Sequence, residues 1–219
     1  MDHPPAALIF DLDDTLVVTS ALWREAEETL LREIGHQWSP ELAARYKGMN
    51  ALDVAATIHR LLQPALPVNS CQEIMRNALF RAFEKGPLQP MPGALACVRS
   101  LAGAFPLAVA SGSPLPLIEL ALERLKLRDA FSVLLSSESV PRGKPFPDIF
   151  LAAAATLAVD PARCLVFEDS LVGVQAARAS GMASFAIPSS NSPEIVQIAT
   201  RTFASLGEIT LQEVKSALP

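Results

Sequence analysis

Residues 106–187 read PLAVASGSPLPLIELALERLKLRDAFSVLLSSESVPRGKPFPDIFLAAAATLAVDPARCLVFEDSLVGVQAARASGMASFAI, and here short apolar runs alternate with longer amphipathic ones. LAVAS, FSVLLS, CLVFE and MASFAI have the length and unbroken apolar character of strands buried on both faces. Between them, IELALERL, IFLAAAATLA and VGVQAARASG have helical spacing. Such repetition predicts right-handed crossovers and a doubly wound α/β fold with a parallel sheet. The opening AALIF, residues 6–10, has the same texture and is expected in the middle of that sheet.

Between Thr15 and about Pro87 the texture changes. ALWREAEETLLREIG, SPELAARYKG, ALDVAATIHRLL and SCQEIMRNALFRAFEKG all have helical spacing, and none reads as a strand. This predicts an inserted all-helical domain over residues 16–87, in an α/β core made of 1–15 and 88–219. Its borders, DDTLVV on one side and GPLQPMPG on the other, are candidate hinges. Ser39 before Pro40 and Asp160 before Pro161 read as helix caps followed by proline at the first helical position. The terminal run from Ser192 reads as a closing strand and helices.

Composition narrows the function classes. The chain has 219 residues, half of them apolar, and a net charge of -5, so no basic balance favours nucleic acid. Cys71, Cys97 and Cys164 are odd in number and form no CxxC pair, which speaks against a disulfide framework or a zinc site and for reduced thiols. MDHPPAALIF carries no basic leader, and no apolar run reaches membrane-spanning length. A cytoplasmic protein that binds no membrane, a monomer or weak dimer, is expected.

In open parallel sheets ligands gather at the carboxyl ends of strands. AALIF is followed by Asp11, Leu12, Asp13, Asp14 and Thr15; LAVAS ends in Ser111, before Gly112 and Ser113; a later loop holds Gly143, Lys144 and Pro145; CLVFE ends in Glu168, before Asp169 and Ser170. Singly these are weak: an acidic pair is often a turn or cap, SGS is a common loop, and GKP can be a solvated turn. Together around one crevice they concentrate more negative charge than a protein leaves uncompensated, which calls for a divalent cation and a lysine. Magnesium takes one or two carboxylates plus phosphate oxygens, and Asp11 and Asp169 could supply them. Asp11 could attack phosphorus to form an aspartyl phosphate, with Asp13 as general acid and then base. Ser111, the Gly112 amide and Lys144 could stabilise the phosphoryl oxygens.

On these residues the chain resembles the haloacid dehalogenase superfamily of phosphatases over nearly its whole length. FDLDDTL is similar to the first motif of that superfamily, ASGS to the second, the lysine of GKPFPD to the third and FEDS to the fourth. The resemblance implies Asp11 as nucleophile, Asp13 as acid and base that also binds magnesium through its backbone carbonyl, Ser111 and Lys144 as phosphate ligands, and Asp169 and Glu168 as metal-shell acids. It places Thr15 at the hinge toward a small helical cap. SALWREAE, ASGSPLPLIELALERLKLRDAF and KPFPDIFLAAAATLAV resemble bacterial hexose and hexitol phosphate phosphatases and the related β-phosphoglucomutases.

Departures favour hydrolysis of a small phosphate ester over a mutase reaction. The mutases follow the second motif with a lysine and an asparagine for a second phosphate, where this chain has Pro114 and Leu115; their cap arginine after a KG turn is replaced by Met49, Asn50 and Ala51. A dehalogenase would usually lack Asp13, and a noncatalytic binding protein would be expected to lack a catalytic group. Selection among phosphate esters should lie in the cap. Trp23 could stack on a sugar ring, although its spacing with Ala26 and Leu30 favours packing within the cap. Lys47 and Asn50 could contact hydroxyls. Arg24, Glu25, Glu28 and Arg32 read as an exposed, salt-bridged face, and His36 and His59 as structural or surface residues.

Overall fold

A computed structural model describes residues 4–188 and 192–218. Residues 1–3 of the stretch read for a leader, and the last residue of the terminal run, lie outside them. The core is a six-stranded sheet of parallel pairs. From one edge it runs β5 (Val133–Ser136), β4 (Leu107–Ser111), β1 (Ala7–Phe10), β6 (Cys164–Glu168), β7 (Ala183–Ala186) and β8 (Arg201–Thr202). The chain leaves β1 toward β4 and β5, then crosses back to lay β6 on the other side of β1. This reversal opens a crevice at the carboxyl ends of the central strands.

Side chains alternate across the sheet with period two. Leu8, Phe10, Leu107, Val109, Leu165 and Phe167 enter one apolar layer, while Ala7, Ile9, Ala108, Ala110, Cys164 and Val166 enter the other. The first layer is covered by α5 (Ala94–Ala102) and α6 (Leu115–Arg124), the second by α7 (Asp148–Thr156) and α8 (Leu171–Ala179). Burial on both faces explains why these strands read as continuous apolar runs. In the first layer Phe10 and Phe167 stack with ring centroids 4.2 Å apart, and Phe185 meets Phe167 edge-on at 5.8 Å.

Between β1 and β4 lie α1 (Ser20–Glu33), α2 (Pro40–Ala43), α3 (Ala51–Leu62) and α4 (Val68–Lys85). Cys71, Met75, Ala78, Leu79, Ala82 and Phe83 form a helical stripe on α4 that packs with Leu22, Ala26, Leu30 and Leu31 of α1 and Val54, Ala55 and Ile58 of α3. α1 and α3–α4 match the sequence expectation closely.

Three features differ from it. SPELAARYKG forms only the one-turn α2, because after Ala43 the N–H groups of Arg45 and Tyr46 bond three residues back and the tightened chain swings Tyr46 inward. Gly48 then takes φ 81°, and its missing Cβ leaves room for Ser170 and Val172, which an added carbon would meet at 2.9 and 2.6 Å. Second, the helical stretch is flanked by a ribbon that sequence did not show: β2 (Val17–Val18) pairs antiparallel with β3 (Gln89–Pro90). Third, ALACVRSLA forms α5, which no pattern above singled out. Near the end, α9 (Pro193–Ile198), β8 and α10 (Leu211–Lys215) match the closing strand and helices.

Candidate active site

β1, β4 and β6 deliver their last side chains to one place. Asp11 follows β1 directly, and its N–H bonds to the Phe167 carbonyl at 2.9 Å, so it sits beside Glu168 at the end of β6. Lys144, from the loop before α7, donates to Asp11 Oδ1 at 2.6 Å, to Glu168 Oε1 at 2.6 Å and to the Ala110 carbonyl at 3.2 Å. All three charged side chains are buried. The second oxygen of Glu168 accepts from the Asp169 and Ser170 N–H groups and the Ser170 hydroxyl. Gly173 makes this possible: a Cβ there would lie 1.9 Å from the Glu168 carboxyl carbon, so the first turn of α8 approaches the carboxylate only without a side chain.

Burial pushes the Asp11 carboxyl up, and Lys144 pulls it back while Glu168, Asp13 and Asp169 push it further. Burial alone would lower Lys144, but Asp11 and Glu168 outweigh it and hold the ammonium above its ordinary range. One ammonium faces several buried carboxylates. Oxygens of Asp11, Glu168 and Asp169 lie within 4.8 Å of one another, an all-oxygen set of the kind that suits a hard divalent cation. The residues present therefore fit a magnesium ion.

Asp13 is held separately. Its Oδ2 accepts from the Ser111 and Ser113 hydroxyls at 2.8 and 2.9 Å, and its Oδ1 from the Trp23 indole N–H at 2.8 Å. Burial raises its carboxyl, and the three donors oppose that rise. Asp11, Asp13, Gly112 and Asp169 line a cavity of about 420 Å³ together with Trp23 and Lys47 from the helical segment. Lys144 and Glu168 stand behind Asp11, and Ser111 stands behind Asp13. Two further expected residues, Asn50 and Thr15, also do not line this cavity. Asn50 caps α3, accepting from the Asp53 N–H and donating to the Asp53 carboxylate, and faces a separate groove. Thr15 is buried, and its hydroxyl has no hydrogen-bond partner among the described residues.

Other contacts at the site gave no signal in the sequence. Trp23 does more than pack, since its N–H binds Asp13. Ser113 joins Ser111 on the same carboxylate. Asp14, at φ 55°, caps α1 from upstream by accepting from the Thr19 and Ser20 N–H groups and the Ser20 hydroxyl. Farther along the cavity Glu27 Oε2 accepts from Trp38 Nε1 at 2.7 Å and from the Tyr46 hydroxyl at 3.4 Å, and burial pushes its carboxyl up to about 6. Arg24 pairs with Glu28 as expected, but its guanidinium also lies 4.2 Å over the Trp38 ring and reaches the cavity wall. The three cysteines are free and buried, with Cys97 pushed up to about 12 and Cys164 to about 11 by burial, and none lines the cavity. Among the described residues no helix is long and apolar enough to cross a membrane.

A doubly wound sheet whose central strands end in a buried carboxylate–lysine cluster beside a cavity defines an enzyme of the α/β class. Residues 5–181 match the haloacid dehalogenase-like hydrolases, and the chain belongs to that family. It is 34% identical over 181 residues to fructose-1-phosphate phosphatase YqaB of Escherichia coli (strain K12), covering 81% of this chain and 93% of that one. With hexitol phosphatase B of the same strain it shares 32% identity over 215 residues, covering 95% and 96%. CbbY from Rhodobacter sphaeroides, solved in complex with phosphate, superposes with TM-score 0.80 at 28% identity, covering 93% of this chain and 96% of that one. β-Phosphoglucomutase from Clostridium difficile shares the fold, with TM-score 0.85 at 19% identity over 97% and 96% of the two chains.

Proposed function

We propose that this phosphatase hydrolyses a small phosphate monoester, a sugar or polyol phosphate, by way of a phosphoryl group held on Asp11. The observation that carries the reading is the junction of Asp11 with Lys144, Glu168 and Asp169 on a cavity that Asp13 also faces. Lys144 fixes Asp11 Oδ1 and keeps the carboxylate ionised, which leaves Oδ2 as the attacking atom. As the Asp11–phosphorus bond forms and the ester bond breaks, Asp13 gives its proton to the leaving alkoxide. In the second step water attacks phosphorus, Asp13 takes its proton, and inorganic phosphate leaves Asp11. Gly112, Ser111 and Lys144 balance charge on the phosphoryl oxygens. Asp11, Asp169, Glu168 and the Asp13 carbonyl would hold magnesium, which when bound offsets phosphate charge.

Residues 16–87 act as a cap on the core of 1–15 and 88–219, hinged near Thr15 and excluding water during transfer. Support comes from the β2–β3 ribbon at the junction and from a cavity with walls from both segments. Pro114 and Leu115, at the start of α6, offer no charge to a second phosphate, which favours hydrolysis over mutase chemistry.

The test is a panel of phosphate esters assayed with magnesium and with a chelator, beside Asp11→Asn. Turnover of sugar or polyol phosphates that needs magnesium, with a hydroxylamine-sensitive phosphoenzyme absent from Asp11→Asn, is expected. Magnesium-independent turnover, or an active Asp11→Asn, would overturn the scheme.

A further inference from the structure

Glu27 has no task in phosphoryl transfer, yet it is a carboxylate only 9% exposed on the wall of the same cavity. Keeping a carboxylate ionised in such a place is unfavourable unless hydrogen bonds satisfy it. Trp38 and Tyr46 both donate to Oε2, and Oε1 accepts no hydrogen bond among the described residues. The clamp fixes the plane of the carboxylate and leaves one oxygen for a ligand. Along α1, Glu27 stands one turn beyond Trp23, whose N–H marks Asp13. One turn is about 5.4 Å. An acceptor so placed would meet the part of a substrate remote from its phosphate, and Trp23 and Trp38 line the same cavity.

We propose that Glu27 is a specificity-determining residue, its carboxylate accepting hydrogen bonds from hydroxyl groups on the alcohol portion of the substrate; this rests on the phosphatase reading of the same cavity. A polyhydroxylated chain or ring supplies donors to Oε1 and apolar C–H faces to the indoles. An ester whose alcohol carries no hydroxyl leaves Oε1 unmatched, and one with a second phosphate places like charge beside it. Sites built around a buried polar group discriminate strongly against ligands that fail to pair with it.

The experiment compares a hexitol 6-phosphate with p-nitrophenyl phosphate, which has no hydroxyl donor, in the full chain, Glu27→Gln and Glu27→Met with magnesium. For the hexitol phosphate, kcat/KM should fall about tenfold to a hundredfold in Glu27→Met and by less in Glu27→Gln, mainly through KM. For p-nitrophenyl phosphate it should stay within about twofold, since the phosphoryl machinery is untouched. Equal losses on both substrates would make Glu27 a mere support for the Trp38 and Tyr46 segment and overturn the proposal, as would no loss on either. The two readings separate on the unsubstituted enzyme: no magnesium-dependent turnover of any ester removes the phosphatase reading and this proposal with it, whereas turnover indifferent to Glu27 removes only the proposal. Circular-dichroism melts show that each variant is folded, so a loss on one substrate alone cannot come from unfolding.

Discussion

Replacing Glu27 by Gln keeps the side-chain shape and an oxygen for the Trp38 N–H, but removes a buried charge. In the folded chain the Glu27 carboxyl is pushed from its ordinary 4.5 to about 6, chiefly by burial and against the donors Trp38 and Tyr46. Between those two values the unfolded chain has released this proton while the folded chain still holds it. Raising pH through that window therefore favours unfolding. At about 1.4 kcal/mol per pH unit, the native state carries a penalty of about 2 kcal/mol once Glu27 is fully ionised. Glu27→Gln removes it. Urea unfolding followed by circular dichroism should find the variant more stable by about 2 kcal/mol near pH 7.5 and by less than about 1 kcal/mol near pH 5. For a domain of this size the first figure means about 4 to 8 °C in thermal midpoint. A variant no more stable than the parent near pH 7.5, or one whose advantage is the same at both pH values, would refute the assignment of an ionised, unfavourably buried Glu27. Joined to the substrate comparison, a variant both sturdier and less selective would show stability given up for recognition.

Trp23→Phe keeps an aromatic ring but removes the N–H that orients Asp13, so kcat should fall about tenfold with KM changing less in steady-state assays. Lys144→Met leaves Asp11 and Glu168 facing each other without a cation. Denaturant titration should register a loss of about 3 to 5 kcal/mol, and turnover should vanish. Magnesium should raise the thermal midpoint of the parent, by about 2.7 kcal/mol of stabilisation at a hundredfold excess over its dissociation constant, and Asp169→Asn should respond far less. Equal responses in calorimetry would remove Asp169 from the metal shell.

The parts of the fold legible in the sequence are those fixed by burial alone. β1, β4 and β6 are apolar on both faces, so their identity and their polar ends at Asp11, Ser111 and Glu168 could be read directly. The ribbon of β2 and β3 could not, because two-residue strands carry no periodicity. The run EAEE, residues 25–28, looks like a solvated helix face, and nothing local marks Glu27 as the glutamate that turns inward. Its partners Trp38 and Tyr46 lie 11 and 19 residues away, brought back by the short α2 and the tight turn that follows. The indole N–H of Trp23 is similar: helical spacing accounts for its ring, but only tertiary structure places its nitrogen on Asp13.

The position of β1 has a consequence for synthesis. It leaves the ribosome well before its partners, since β4 follows about a hundred residues later and β6 later still. Until Glu168 has emerged, the apolar Ala7–Phe10 strand has an unmatched edge and Asp11 has no acidic neighbour from β6. Such distant pairings slow folding and leave an aggregation-prone edge exposed in the meantime. A truncated nascent chain should therefore carry a sticky, inactive strand. Asp11 is made long before the neighbours that complete its cluster.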